Sequence, residues 1–136
     1  MRPLALALSA ALTLMPVAGT AQNVMPPEQI RSILEATKNN WISIRLFDGQ
    51  DLLYFTHLES WRCGIEAVTF GVNGGEPEFP YNISPCNPDD PFTIPDDAVI
   101  YLTAPPNSLE TVTVKILYVD GETATETFER AAVQIN

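Results

Sequence analysis

The stretch from Tyr54 to Cys63 gathers the side chains of this 136-residue chain that could do chemistry. It contains the single histidine, His57, together with Ser60, Trp61 and one of the two cysteines. A serine or cysteine hydrolase needs a nucleophile, a base and an orienting group, and only His57 could supply the imidazole. One hypothesis is therefore a small hydrolase that uses His57 with an acid nearby.

The residues around His57 favour a structural role instead. Ser60 does not lie in a G-x-S-x-G nucleophile elbow, and Cys63 is expected to be oxidised. A lone histidine that continues an apolar strand face is typical of a packed side chain with a satisfied ring nitrogen. We therefore predict no catalytic residue and a non-enzymatic protein.

The two cysteines, Cys63 and Cys86, are predicted to form a disulfide, because an even number in an exported chain favours pairing. The pair is too widely spaced for a redox C-x-x-C motif, and two cysteines with one histidine make a poor zinc set, so we predict no metal or cofactor. Trp61 lies two positions before Cys63, which predicts an indole packed over the disulfide or, alternatively, an aromatic ligand platform. Arg62 should point outward and form an ion pair.

Acidic and amide side chains are concentrated in the proline-rich region. Calcium prefers six to eight oxygen ligands from a shaped loop, so a divalent-cation binding module is an alternative function. The spacing does not match an EF-hand, and Asp and Asn are also ordinary turn formers. The residues in question are Asn87, Asp89, Asp90, Asp96 and Asp97.

The chain is strongly acidic, with a formal net charge of −10 that becomes −11 if Arg2 is removed. Nucleic-acid binding needs a basic surface, and anionic membranes repel an acidic one, so we expect neither as a partner. The charge permits a protein partner with a basic surface.

The first 21 residues are typical of a secretory signal peptide. Arg2 precedes the apolar run "LALALSAALTL", and small residues in "VAGTAQ" predict cleavage after Ala21. The run is too short for a membrane span, which needs about 20 apolar residues. We therefore expect a periplasmic or extracellular protein without membrane insertion.

A short helix and a first hairpin are predicted to follow. Residues 22–40 form an N-terminal extension whose apolar positions, from Ile30 to Thr37, recur with helical spacing. From Trp41 the period changes to two, and the dipeptide Asp48-Gly49 predicts a tight turn. A two-residue turn places Leu53 opposite Ile44 and Phe55 opposite Ile42, with Trp41, Ser43 and Arg45 on the other face and His57 continuing the apolar stripe.

Further strands are predicted in "AVTFGV", "AVIYLTA", "TVTVKILYV" and "ETATETF", with a long proline-rich loop over 74–96 and one more possible strand in "AAVQI". The register of the last hairpin stays open. Lys115 faces Glu126 if its turn has two residues, whereas Val112 or Val114 opposes Phe128 if it has three. Successive hairpins favour an antiparallel sandwich of about six or seven strands over residues 41–136.

Over residues 40–130, the segments "NWISIRLFDGQDLLYFTHLESWRCG" and "VTVKILYVDGETATETF" resemble small uncharacterised exported proteins of Gram-negative bacteria with an immunoglobulin-like or fibronectin-type β-sandwich. The resemblance implies an all-β, antiparallel, immunoglobulin-like fold. We further expect a monomer or weak homodimer. Because no residue set completes a catalytic constellation, we expect its role to be that of an interaction or accessory binding module. Because Trp61 precedes Cys63 and Cys86 follows closely, the disulfide is expected to anchor a loop rather than join the sheet centres.

Overall fold

The computed structural model describes residues 3, 9–14 and 24–136. The predicted signal peptide therefore lies largely outside the described residues, and its cleavage position after Ala21 lies wholly outside them. No helix in the described part of the chain is long and apolar enough to cross a membrane. In chain order the elements are α1 (Pro27–Ala36), β1 (Ser43–Phe47), β2 (Gln50–Tyr54), α2 (Thr56–Ser60), β3 (Ile65–Val72), β4 (Phe79–Tyr81), β5 (Tyr101–Ala104), β6 (Thr111–Tyr118), β7 (Thr123–Glu129), α3 (Arg130–Val133) and β8 (Gln134–Ile135), with 3₁₀ turns at Lys38–Asn40 and Arg62–Gly64.

The strands form two four-stranded sheets, with orders β5-β2-β1-β8 and β4-β3-β6-β7. Every pairing is antiparallel except that of β1 with β8. Side chains from both sheets and from α1 share one buried apolar cluster. This arrangement is consistent with the predicted β-sandwich, although the described residues contain eight strands, because the short strand β4 was not predicted.

The alternating pattern of β6 shows why these residues form a buried strand. Val112, Val114, Ile116 and Tyr118 lie on one face and are all buried, while Lys115 on the other face is exposed. Burying each large apolar side chain stabilises the fold by about 1.5–3 kcal/mol. The sandwich core is therefore specified by the period-two pattern of its strands.

The predicted N-terminal helix is confirmed as α1. Ile30 and Leu34 are its buried positions, and Pro27 occupies its first turn, where a missing N–H does no harm. Trp41 contradicts the alternation predicted for the next strand, since it is fully buried rather than facing away from Ile42. Its backbone is still helical, with φ −56° and ψ −42°, so the strand period begins only after it.

The first hairpin has the predicted register, with Ile44 opposite Leu53. Asp48 and Gly49 both adopt positive φ, as a two-residue turn of this hand requires. The prediction that His57 continues the strand face is wrong, because the chain leaves the sheet after Tyr54 and forms α2. Phe55 and Leu58 are both buried, and their i, i+3 spacing suits one face of a helix rather than the alternation of a strand.

The last hairpin adopts the register in which Val112 lies opposite Phe128. The predicted alternative pair of Lys115 and Glu126 is not formed. Glu126 instead forms an ion pair with Lys38, 2.8 Å away. Burial of Phe128 in the core therefore decides the register over an exposed charge pair.

Two further segments differ from the prediction. The proline-rich loop over 74–96 contains the short strand β4, which pairs with β3. The tail predicted as a strand first forms α3, and only Gln134 and Ile135 pair, in parallel, with β1.

Candidate functional site

His57 lies on α2 and is held by a hydroxyl of the preceding helical segment. Thr37 Oγ1 lies 2.7 Å from the carbonyl oxygen of Ile33, and since a carbonyl has no hydrogen, the hydroxyl donates its proton there. Thr37 Oγ1 also lies 2.9 Å from His57 Nε2, so the ring nitrogen donates in that contact. The neutral imidazole therefore carries its proton on Nε2 and its lone pair on Nδ1.

Burial lowers the pKa of His57 below its ordinary value. A lowered pKa keeps the ring neutral at pH 7. His57 is thus an uncharged hydrogen-bonding group, as the packed-histidine interpretation expects.

The ring also borders an open groove of about 510 Å³, which we name the His57 groove. It lies between the 3₁₀ turn after α1, the paired ends of β1 and β2, helix α2 and the C-terminal segment. Its lining residues are Asn39, Asn40, Ile42, Ser43, Tyr54, Thr56, His57, Ser60, Ala132, Val133, Gln134 and Ile135. In the part of the chain that the structure describes, no carboxylate lines it.

The groups near His57 do not assemble into a hydrolase triad. Ser60 Oγ donates to the Thr56 carbonyl oxygen at 3.3 Å, and Cys63 is bonded to Cys86. A triad base needs an orienting acceptor on its second nitrogen, whereas the hydrogen-bond partner of the His57 ring in the described residues is Thr37. The geometry therefore provides a histidine without a matched nucleophile or acid.

Arg62 contradicts the prediction that it points outward and forms an ion pair. Its side chain is 2 % exposed and donates to three backbone carbonyl oxygens rather than to a carboxylate. The acceptors are those of Glu59 at 3.2 Å, Pro85 at 3.0 Å and Asp90 at 3.4 Å. Arg62 therefore fastens the proline-rich segment to the chain after α2.

The acidic side chain of Glu59 is also buried, and its burial was not predicted from the sequence. Its Oε1 accepts from the hydroxyl of Tyr81 at 2.8 Å and from the backbone N–H of Ser84 at 3.0 Å. The Tyr81 hydroxyl also lies 2.8 Å from the carbonyl oxygen of Val99. Desolvation, followed by the Glu59 hydrogen bond, raises the pKa of Tyr81. In a helix, Phe55 and Glu59 are four positions apart and lie on the same face, so a helical interpretation of this segment could have predicted that Glu59 is buried with Phe55.

The predicted disulfide joins Cys63 to Cys86 and anchors the proline-rich loop, as expected. The extended geometry assumed for Trp61 and Cys63 is wrong, because this segment is helical. The Trp61 ring meets Phe92 edge-on, with centroids 5.4 Å apart. The segment 61–63 therefore holds the proline-rich loop through the disulfide, the aromatic contact and the Arg62 hydrogen bonds.

A second groove, of about 450 Å³, opens between the sheets and is predominantly apolar; we name it the β5 groove. Leu53 and Leu109 are buried in it, Phe70 and Leu102 are partly buried, and Phe79 is 61 % exposed on its β4 side. It extends along β5, the end strand of its sheet. This groove was not found from the sequence, because it depends on how two sheets meet.

The acidic loop contains a side-chain hydrogen bond that is typical of a turn. Asn87 Oδ1 accepts from the backbone N–H of Asp89 at 3.1 Å, which is a turn rather than a ligand arrangement. Among the described residues, no group of three or more His, Cys, Asp or Glu side chains could hold a metal ion.

Comparison of the chain with protein-family models, curated proteins and solved structures finds no match. The resemblance to immunoglobulin-like exported proteins therefore stays a prediction. The two grooves themselves are the basis on which function can be argued.

Proposed function

We propose that this chain is a non-enzymatic, exported binding module that takes up an extended, apolar and positively charged segment of a partner protein along β5. The proposal includes the signal peptide with cleavage after Ala21, a periplasmic or extracellular location and an immunoglobulin-like sandwich. The observation that carries it is the β5 groove, an apolar cleft beside an unpaired strand edge.

The backbone of β5 has hydrogen-bonding groups available to a partner strand. Phe55 N–H donates to the Ile100 carbonyl oxygen at 2.8 Å, which makes these two residues a hydrogen-bonded pair of the β2–β5 ladder. Hydrogen-bonded and non-bonded pairs alternate along an antiparallel ladder. Tyr101 and Thr103 therefore direct their N–H and C=O groups away from β2, toward the open edge.

The opposite wall of the groove is unsuited to strand addition. β4 has only three residues and contains Pro80, which has no N–H and protects a sheet edge. A partner segment would thus pair with β5 alone and place alternate apolar side chains against Phe79 and Leu102. This is β-augmentation, in which the main chain supplies affinity and the pocket supplies specificity.

The charge of the surface favours a basic partner. Within the described residues, Arg31, Lys38 and Arg130 are paired with acids. Arg62 is buried, Arg45 lies over the ring of Phe47, and Lys115 is exposed on β6. The acidic side chains beside the groove, Glu78 before Phe79 and Glu110 after Leu109, are exposed. Flanking lysines on the partner would therefore speed association and favour the correct orientation.

Two features support the non-enzymatic and exported parts of the proposal. His57 is an uncharged ring without an acid or a free nucleophile beside it in the described residues. The Cys63–Cys86 disulfide is typical of an oxidising compartment.

The test uses a fluorescent peptide, KKTVTVTVKK, and its acid-flanked counterpart EETVTVTVEE, in anisotropy titrations. We expect the lysine peptide to bind and the acidic peptide to bind at least tenfold more weakly, with a difference that shrinks as salt is added. Equal binding of both peptides, or of neither, would contradict the proposal.

A pair of proline variants tests the position. Thr103→Pro removes an outward N–H of β5 without removing a ladder bond, so it should abolish binding and leave the sheet intact. Thr125→Pro is the matched control. The hydrogen bond from the Tyr118 N–H to the Glu122 carbonyl oxygen makes these two residues a hydrogen-bonded pair of the β6–β7 ladder. Because bonded and non-bonded pairs alternate, the N–H of Thr125 points away from β6, toward the outer edge of the other sheet. Loss of binding in both variants, or in neither, would rule out β5 as the docking strand.

A further inference from the structure

The His57 groove differs in chemistry from the rest of this acidic protein. Although the chain has 17 acidic residues, the side chains that the structure describes around this groove include no carboxylate, lysine or arginine. Most of its lining groups are hydroxyls, carboxamides or the neutral imidazole. They belong to Asn39, Asn40, Ser43, Tyr54, Thr56, His57, Ser60 and Gln134.

Many of these polar groups remain available for a ligand. Within residues 24–136, the side chains of Asn39, Asn40, Ser43, Tyr54 and Thr56 form no hydrogen bond with another protein group, whereas those of many other polar residues do. Gln134 Oε1 accepts from Arg130 Nε at 3.1 Å, which orients the carboxamide and leaves its N–H groups unused.

His57 adds an acceptor to this set. Its Nε2 donates to Thr37, so Nδ1 is the ring nitrogen with a free lone pair. The groove therefore presents both donors and acceptors and no net charge. Tyr54, whose ring packs against Tyr101 with centroids 5.5 Å apart, also lines the groove.

This pattern discriminates between ligand classes. A charged ligand would find no opposite charge among the lining side chains, and an apolar ligand would cover several donors and acceptors without pairing them, at a loss of affinity. A ligand with many hydroxyls can donate and accept at once. The volume of about 510 Å³ lies in the usual range for small-molecule sites.

We propose that the His57 groove is a second binding site, for a neutral hydroxyl-rich ligand of the mono- or disaccharide class. Ser43, Asn40 and Gln134 hydrogen-bond ligand hydroxyls, and His57 accepts from one of them through Nδ1. Because the site shares no lining residue with the β5 groove, a negative result for peptide binding would not count against it.

The experiment is a titration of the ¹⁵N-labelled protein with glucose, N-acetylglucosamine and maltose, each at millimolar concentration, followed by amide shifts. Galacturonate is the charged comparison. We expect at least one neutral sugar to shift the amides of Asn39, Asn40, Thr56 and Gln134 in a saturable way, and galacturonate to shift them far less. If no neutral sugar moves them, or if galacturonate moves them equally, the proposal is overturned.

Variants complete the test. Ser43→Ala and Asn40→Ala should each weaken the affinity by about fivefold, the loss typical of one neutral hydrogen bond. Thr125→Ala, on the exposed face of β7, is the matched control and should not change it. Unchanged affinity in both groove variants, with their amide spectra otherwise native, would overturn the assignment.

Discussion

Asp51 offers the sharpest test of how the two sheets are held together. It is fully buried at the start of β2 and accepts four hydrogen bonds. The backbone N–H groups of Asn107 and Leu109 each donate at 3.0 Å, to Oδ1 and Oδ2. Arg130 donates from Nη2 at 2.9 Å and from Nη1 at 2.7 Å to the same two oxygens. One carboxylate thus joins β2, the β5–β6 loop and α3.

Replacing Asp51 by Asn keeps the shape and removes the charge. Whichever way the carboxamide is turned, its NH₂ group faces one backbone N–H and one guanidinium N–H. Two accepting contacts are lost, and each hydrogen bond to a charged group contributes about 1.5–3 kcal/mol. Breaking a buried ion pair destabilises by about 3–5 kcal/mol. We therefore expect Asp51→Asn to lower the free energy of unfolding by about 4 kcal/mol, a large share of the total for a domain of this size.

Urea unfolding followed by tryptophan fluorescence, to which the buried Trp41 contributes, measures this loss. Asp120→Asn is the matched control, because Asp120 also accepts from an arginine, Arg31 at 3.0 Å, but at the surface. Exposed pairs contribute little, so the control should unfold close to wild type. A loss below about 1 kcal/mol for Asp51→Asn would refute the reasoning.

The pH dependence gives an independent check. The Arg130 hydrogen bonds, together with those from Leu109 and Asn107, hold the pKa of Asp51 far below its ordinary value. The unfolded chain therefore takes up a proton at this carboxyl first as the pH falls below about 4, which destabilises the folded state. The stability difference between wild type and Asp51→Asn should be largest at neutral pH and shrink in acid. A constant difference from pH 7 to acid would contradict this account.

Two further predictions concern the opening cluster. Replacing both Cys63 and Cys86 by Ser should lower the free energy of unfolding in urea by about 3 kcal/mol, the chain-entropy value for a loop of this size, and reduced wild-type protein should match the variant. Because burial lowers the pKa of His57, the unfolded chain binds its proton first, so stability should fall as the pH decreases through about 6.5. In the variant His57→Gln, the melting temperature should no longer fall with pH in this range. If the melting temperature of the variant depends on pH as that of wild type does, the ring is not desolvated.

The elements that could be predicted from the sequence are those with a strong local signal. The Asp48-Gly49 turn specifies positive φ at two residues, which determines the register of the first hairpin. Helical spacing of Ile30 and Leu34 predicts α1, and the paired cysteines predict the disulfide in the right loop. Each of these depends on residues close in sequence or on a covalent bond.

The features that could not be predicted depend on distant parts of the chain. A strand pattern predicts that Arg62 is exposed. Its guanidinium is buried because the proline-rich segment brings the carbonyl oxygens of Pro85 and Asp90 to it, beside that of Glu59. The parallel pairing of β8 with β1 needs α3 to carry the chain from the sheet of β7 to the sheet of β1 first. Neither groove has a sequence signature, since each is formed where elements far apart in sequence meet.

The buried polar groups after β2 give the opening cluster a role that is structural but bears on function. Glu59 and Arg62 hold the proline-rich segment at Ser84 and Pro85, and the Tyr81 hydroxyl lies within hydrogen-bonding distance of Val99, just before β5. The segment around β4 is therefore held against the chain just before β5. A groove that is already formed spares a partner the entropy of ordering it, which favours affinity. In the function that we propose, the contacts of Glu59, Arg62 and Tyr81 would hold this edge in place for a partner.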